Sequence, residues 1–343
     1  MRALVTGGSG FLGCVLIEQL AAGNARIRNF DLASAEDHPS SVEYFAGDIR
    51  DAAAVDAACK DVDVIFHAVA QQPLSKDPAL MRSVNIDGTR NLLAAALKNK
   101  VGKVIFFSST SIFGVPDELP IRRATPSNPV EAYGRTKVAA EEVCREFIEK
   151  GLDVTLIRPR TILGHGRLGI FQMLFEWIRE GSNVPVLGSG NAEFQFIHAR
   201  DLADAAILAA RRVGPAVYNI GTGRFGSVRA TLEALCAHAG TGAKVKSVPD
   251  APTRLLMAAL TKLGVSPLGN YHYLAYSKPS WFDISDAQRE LGWQPKYSND
   301  EMLIESYDWY LAHREEVARS KWASPHKSGV KQGVLKLLIK LLR

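Results

Sequence analysis

Long apolar runs, clustered cysteines and acidic residues near the C-terminal end are what this chain has little of. No uninterrupted apolar stretch in its 343 residues approaches the ~20 needed to cross a bilayer, so no transmembrane helix is expected. The four cysteines, Cys14, Cys59, Cys144 and Cys236, stand far apart without metal-ligand spacing, each inside a helical apolar pattern. That argues against a disulfide framework or a metal centre and for free, buried thiols in a reducing cytoplasm. No secretory leader is expected, because the first residues already read as a strand. Between 325 and 343 there is no acid at all, only Lys327, Lys331, Lys336, Lys340 and Arg343. These five account for the whole formal charge of +5 and leave the rest of the chain neutral. Nothing in that body suggests a nucleic-acid surface.

What is present concentrates at the beginning. Arg2 to Thr6 is a short apolar strand, followed at once by Gly7-Gly8-Ser9-Gly10-Phe11-Leu12-Gly13 and then by a helical pattern from Cys14 to Ala22. Gly7 allows a tight turn, Gly10 lets backbone approach a pyrophosphate, and Gly13 lets helix pack on strand, with helix amides aimed at the phosphates. A second strand, Arg26 to Phe30, ends at Asp31. Its carboxylate accepts from ribose hydroxyls and repels a 2'-phosphate, so NAD is expected over NADP.

Further along, Val42 to Phe45 reads as a strand ending in Gly47-Asp48-Ile49; Asp48 is placed either at the adenine edge or as a helix cap. A strand from Val62 to Phe66 precedes His67-Ala68-Val69-Ala70, small residues that let a cofactor lie close. A helix is expected over Pro78 to Asn99, carrying Asn85 and Gly88-Thr89. The run Lys103 to Phe107 reads as a strand buried on both faces. It ends in Ser108-Ser109-Thr110-Ser111, where ligands of parallel sheets bind.

Tyr133 and Lys137 then open a helix reaching Lys150. Four residues apart, they share one helical face. The ammonium lowers the tyrosine's pKa and can hold the nicotinamide ribose, the phenol then works as general acid and base on a substrate hydroxyl, and a serine from the preceding strand end orients the same oxygen.

Taken together, these residues resemble the extended short-chain dehydrogenase/reductase family, the group that includes UDP-galactose 4-epimerase and the 3β-hydroxysteroid dehydrogenases. The resemblance runs from residue 1 to about 313, through Arg158-Pro159, Phe196-Ile197-His198, Tyr218-Asn219-Ile220-Gly221 and Glu290-Leu291-Gly292-Trp293. It implies an α/β fold, a Rossmann doubly wound parallel sheet with a smaller, interleaved C-terminal substrate lobe. The nucleotide lobe would take 1–160 and recover 196–220, the substrate lobe 161–195 and 221–313, and a basic amphipathic tail 314–343. By the same resemblance Ser109, Tyr133 and Lys137 are catalytic, with Thr110 or Ser108 as fallback for the hydroxyl. NAD is implied, held by Gly7, Gly10, Phe11, Leu12, Gly13, Asp31, Asp48, Ile49, Ala68, Ala70, Tyr133, Lys137 and Pro159. The helices near Pro78 and Tyr133 are similar to those that form a four-helix homodimer interface, or simply pack on the sheet. His198, with no partnered ligands at metal spacing, reads as structural.

The reaction is narrowed by the two residues after Ser109. The family's dehydratases carry an acidic pair there and its decarboxylases a Glu at the second position, where this chain has Thr110 and Ser111. Reversible hydride transfer at a secondary alcohol remains, read as epimerisation of a nucleotide sugar through a transient ketone. The alternative is oxidation or reduction of a lipid or other apolar alcohol, as in hydroxysteroid dehydrogenases. Two features favour the alternative. Phe194 and Ser277-Lys278-Pro279 stand where epimerases keep phosphate-gripping arginines, and Leu255 to Leu260 is apolar. Thr161 replaces an expected Asn. Substrate candidates are Thr110, Thr161, Arg167, Phe194, Arg224 and Lys278, with Arg160 and Arg179 as further phosphate partners. The segment Val334 to Arg343, with cations at 336, 340 and 343, is too short to span a membrane. It would dock on protein or lie on the inner face of an anionic bilayer.

Overall fold

The computed structural model describes residues 1–35, 37–71, 77–255 and 278–319. Seven parallel strands form the central sheet: β1 (Arg2–Thr6), β2 (Arg26–Asp31), β3 (Glu43–Ala46), β4 (Val64–His67), β5 (Lys103–Phe107), β6 (Val154–Pro159) and β7 (Ala216–Ile220). Their spatial order is β7-β6-β5-β4-β1-β2-β3. The chain therefore winds outward from β1 in both directions, and Thr6 at the end of β1 lies between Phe30 of β2 and His67 of β4. Such a reversal opens a crevice beyond the carboxyl ends of the strands. Every residue of β5 and β6 is buried, as strands covered on both faces require.

One face of the sheet is covered by α1 (Phe11–Ala22), and the other by α2 (Ala52–Ala58), α4 (Gly88–Lys98) and α5 (Ala132–Glu149), with α3 (Pro78–Arg82) packed on α5. After β6 the chain leaves the sheet to build α6 (Ile170–Arg179), returns through α7 (Ala199–Arg211), which packs on α1, and passes through β7. It ends with α8 (Val228–Ala239), α9 (Ser285–Leu291) and α10 (Asn299–Arg319). A third apolar core, separate from the two flanking the sheet, joins Phe171 and Phe175 of α6, Leu235 of α8, and Tyr307 and Tyr310 of α10.

Some expectations shift. The helix expected over Pro78 to Asn99 is found from Pro78 to Lys98 without interruption, with one π-turn, Ser83–Asp87, inserted between α3 and α4. The Asn85 side chain reaches out of the helix to Gln71, accepting its N–H at 2.6 Å and donating to its carbonyl at 3.0 Å, and the extra residue in the turn accompanies that grip. The cap of α2 is Asp51, which accepts from Ala53 and Ala54, whereas Asp48 is engaged by the Arg50 side chain. α1 begins at Phe11 rather than Cys14. His198 caps α7, its Nδ1 accepting the Arg200 N–H at 3.1 Å while its ring stacks on Tyr297. Leu256 to Leu260, Ser277 and the tail 325–343 lie outside the described residues.

Candidate active site

The crevice is a cleft of about 560 Å³, running from the glycine loop to the ends of β5 and β6. At its head the loop is as tight as its sequence demands. Gly7 has φ +74°, and a Cβ there would lie 2.8 Å from the Val69 nitrogen; one on Gly13 would lie 2.2 Å from the Gly7 carbonyl oxygen. Side chains at either position would collide with the backbone after β4 or with the loop itself, so these glycines are what lets the turn close and brings the N-terminal amides of α1 to the cleft, where they fit a pyrophosphate. Asp31 stands at the edge of the cradle, one oxygen accepting from Ser9 N at 3.0 Å and the other from Leu32 N at 2.7 Å. A carboxylate has about four acceptor positions, and the backbone bonds leave room for a ribose hydroxyl. Burial raises its pKa, and the amide bonds work against that rise.

At the far end lie the chemical groups. Lys137 is buried, its Nζ donating to the Phe107 carbonyl at 2.6 Å and sitting 4.3 Å from the centre of the Phe106 ring. Desolvation pushes its pKa down to about 8. His67 nearby is pushed down to about 3 by burial, with the charge on Lys137 adding to the effect, and is neutral. Its neighbours set its tautomer. Thr89 donates to the Asn85 carbonyl, so His67 Nε2 donates to Thr89 Oγ1 at 3.1 Å, and bare Nδ1 accepts from the Thr6 hydroxyl at 2.7 Å. Lys137 is thus left as the cation of this pair.

The three candidate hydroxyls after β5 have different surroundings. Ser108 is buried and donates to Glu141 Oε1 at 2.6 Å. Thr110 accepts from Arg160 at 2.7 Å. Ser109 opens the short 3₁₀ turn Thr110–Phe113, its Oγ accepting the Ser111 N–H at 3.1 Å and its proton available to the cleft. Tyr133, half-buried, lines the same wall as Ser109 and Lys137.

Every predicted cofactor residue lines this cleft, as do Thr110, Thr161 and Arg167, whose guanidinium lies 5.6 Å from the centre of the Phe11 ring. Three substrate candidates do not. Phe194 is buried beneath the Arg160 guanidinium at 4.7 Å. Arg224 points to Glu301 at 2.7 Å, and Lys278 is exposed outside the wall. Arg179 pairs with Glu176.

Glu141 is a supporting residue that sequence reasoning missed. It is 1 % exposed and gathers Ser108, both arms of Arg158 (2.9 and 2.7 Å) and Arg145. The helix bearing Tyr133 and Lys137 is thereby tied to the ends of β5 and β6. The available signal was its spacing: Tyr133, Lys137 and Glu141 recur every four residues on one face of α5.

A doubly wound sheet, a glycine loop closed by Asp31 and a Tyr-Lys helix at one cleft define a Rossmann-type, NAD-dependent enzyme. Residues 3–221 match the NAD dependent epimerase/dehydratase family, and the chain belongs to it. Among its relatives, y4nG of Sinorhizobium fredii is 44% identical over 342 residues, covering 99% of this chain and 86% of that protein. UDP-glucose 4-epimerase of Mycolicibacterium smegmatis is 28% identical over 330 residues, 90% of this chain and 98% of the relative. Among solved structures, UDP-glucose 4-epimerase of Thermus thermophilus in complex with NAD superposes with a TM-score of 0.74 at 26% identity, covering 91% of this chain and 99% of that one.

Proposed function

We propose that this protein is a nucleotide-sugar 4-epimerase. The observation that carries the reading is the wall of the cleft around Ser109, Tyr133 and Lys137: the residues after Ser109 are Thr110 and Ser111, buried hydroxyls rather than carboxylates. An enzyme with no acid beside the reacting carbon can move a proton and a hydride there, but lacks the group that would drive elimination of water. NAD, when bound, supplies the hydride acceptor and returns the hydride, and Asp31 with the Gly7–Gly13 loop would hold it. Tyr133 takes the proton of the sugar hydroxyl and gives it back after the keto sugar has turned its other face. Ser109 donates to the same oxygen and orients it. The Lys137 ammonium, fixed on the Phe107 carbonyl, stabilises the Tyr133 phenolate.

The test is incubation with UDP-glucose, UDP-galactose and their N-acetylated counterparts, with products separated by chromatography. Interconversion of any pair supports the reading; inertness toward all of them, together with oxidation of an apolar secondary alcohol, would replace it with the hydroxysteroid-type one.

The chain further reads as a nucleotide lobe of 1–160 with 196–220 and a substrate lobe of 161–195 with 221–313. The third apolar core, parted from the two around the sheet, supports a separate substrate lobe, although Phe282, Ile284, Ala287 and Trp293 of the 221–313 stretch pack in a core that flanks the sheet. A homodimer through the exposed faces of α4 and α5, and attachment of the basic tail 325–343 to anionic membrane, are the partner arrangements that the sequence favours.

A further inference from the structure

Arg160 sits in the wall of the cleft without a part in the chemistry above. It stands where the chain leaves β6, is 1 % exposed, and still lines the cleft. Its guanidinium joins three separate segments. Nε donates to the Gln195 carbonyl at 3.0 Å, Nη1 to Thr110 Oγ1 at 2.7 Å and to Ser280 Oγ at 3.0 Å, and Nη2 to the Ser280 carbonyl at 2.9 Å. The rings of Phe194 and Phe282 flank it at 4.7 and 5.1 Å. Gln195 reinforces the junction, its side chain accepting from Phe282 N at 2.8 Å and donating to the Thr222 carbonyl at 2.7 Å. A planar fork with five donors suits such a node, and an ammonium does not reproduce it.

One consequence falls on Thr110. Because its oxygen accepts from Arg160, its own hydrogen points elsewhere, and among the described residues no acceptor takes it. Thr110 lines the cleft directly beside Ser109. The segments at Gln195 and Ser280 lie outside the central sheet and pair with each other through a bridge between Phe194 and Ser280.

We propose that Arg160 is a positioning residue that fixes the turn after Ser109 against the 195 and 280 segments and holds the Thr110 hydroxyl as a second donor to the sugar. The second half of this statement rests on the nucleotide-sugar reading; the first does not. A substrate oxygen next to the reacting carbon is the acceptor it serves, which makes Thr110 and Arg160 together a determinant of sugar choice.

The experiment uses the full-length, NAD-loaded protein and the variants Arg160→Met, Arg160→Lys, Thr110→Val, Thr110→Ser and Arg160→Met/Thr110→Val. Hydrogen exchange is followed at the Ser111 and Ile112 amides, which bond Ser109, and kinetics are measured with UDP-galactose. Arg160→Met and Thr110→Val should each speed exchange in this turn while NAD affinity stays within about twofold. Each should lower kcat/KM roughly 10- to 100-fold, the effect of one charge-assisted hydrogen bond. The double variant should be no worse than the poorer single one, because both remove the same bond. Thr110→Ser should keep near wild-type rates, and Arg160→Lys should not recover them. Unchanged exchange in both Arg160→Met and Thr110→Val overturns the positioning claim whatever the sugar, and losses that multiply in the double variant overturn the shared donor. If Arg160→Met does not fold, Thr110→Val against Thr110→Ser decides by the same two readouts. Failure of the wild type to turn over any UDP-sugar is a failure of the function reading; the exchange result still stands or falls by itself.

Discussion

Asp31 is the side chain to which the proposed reading gives cofactor choice. Its two oxygens are held by backbone N–H groups, among them those of Ser9 and Leu32, so the carboxylate is oriented before the adenosine ribose arrives, and a 2'-phosphate would meet its charge at close range. Asp31→Ala should narrow the preference for NAD over NADP in calorimetric titrations, and equal wild-type affinity for both would contradict this account of the site. Tyr133→Phe should keep NAD binding and lose about 10²–10⁴-fold in turnover, the usual worth of a positioned acid or base. Lys137 sets an alkaline limit: with its pKa held near 8 by burial, it loses its proton as pH rises past that value and no longer supports the phenolate. The rate should therefore fall above pH about 8, and a Lys137→Met variant should lose that limb of the profile. At this scale the sequence was readable wherever a residue's partners are local, as with the glycines and Asp31. It offered Arg160 only as a phosphate partner and did not announce its role as a node, because its partners Thr110 and Ser280 lie 50 and 120 positions away.

Among elements, α5 carries the site, and a buried ion pair decides where it sits. Glu141 and Arg158 have side chains 2 % and 7 % exposed, so Arg158 without Glu141 would be a stranded charge. Glu141→Ala should cost about 3–5 kcal/mol in denaturant unfolding. Arg158→Met combined with Glu141→Leu should recover much of that loss in stability while leaving catalysis impaired, since α5 would no longer be tied to β5 and β6. Equal stability of Glu141→Ala and wild type would remove the pair from this account. β5 was legible from end to end because four consecutive apolar residues, Val104 to Phe107, suit only a strand covered on both faces. The π-turn between α3 and α4 was not. The apolar periodicity continues through it, and the cause is Asn85 turning toward Gln71, a contact between side chain and loop that no helical pattern announces.

At the scale of the whole molecule, the sheet reversal at β1 puts the cofactor cradle in the middle of the fold, and among the described residues the excursion after β6 builds the other wall. The order of strand, glycine loop, helix and acid made this half readable. The substrate side was harder, because the expected phosphate-binding positions hold Phe194, which is buried, and Lys278, which is exposed outside the cleft wall. Beyond the described residues, the basic stretch 325–343 should carry the full chain to anionic vesicles in a flotation assay, and a chain ending at Ser324 should stay behind. Equal absence of both from the vesicles would reject membrane attachment. The central claim is that the cleft abstracts a hydride from a sugar carbon and returns it to the opposite face of the same carbon. It is tested most directly with UDP-galactose deuterated at C4, incubated with the NAD-loaded protein in ordinary water, with the product examined by NMR and mass spectrometry. The account predicts UDP-glucose with deuterium retained at C4 and no accumulation of reduced cofactor. Product that has exchanged the label for solvent hydrogen, or a deuterated substrate left unchanged under conditions where the protein binds it, would contradict it.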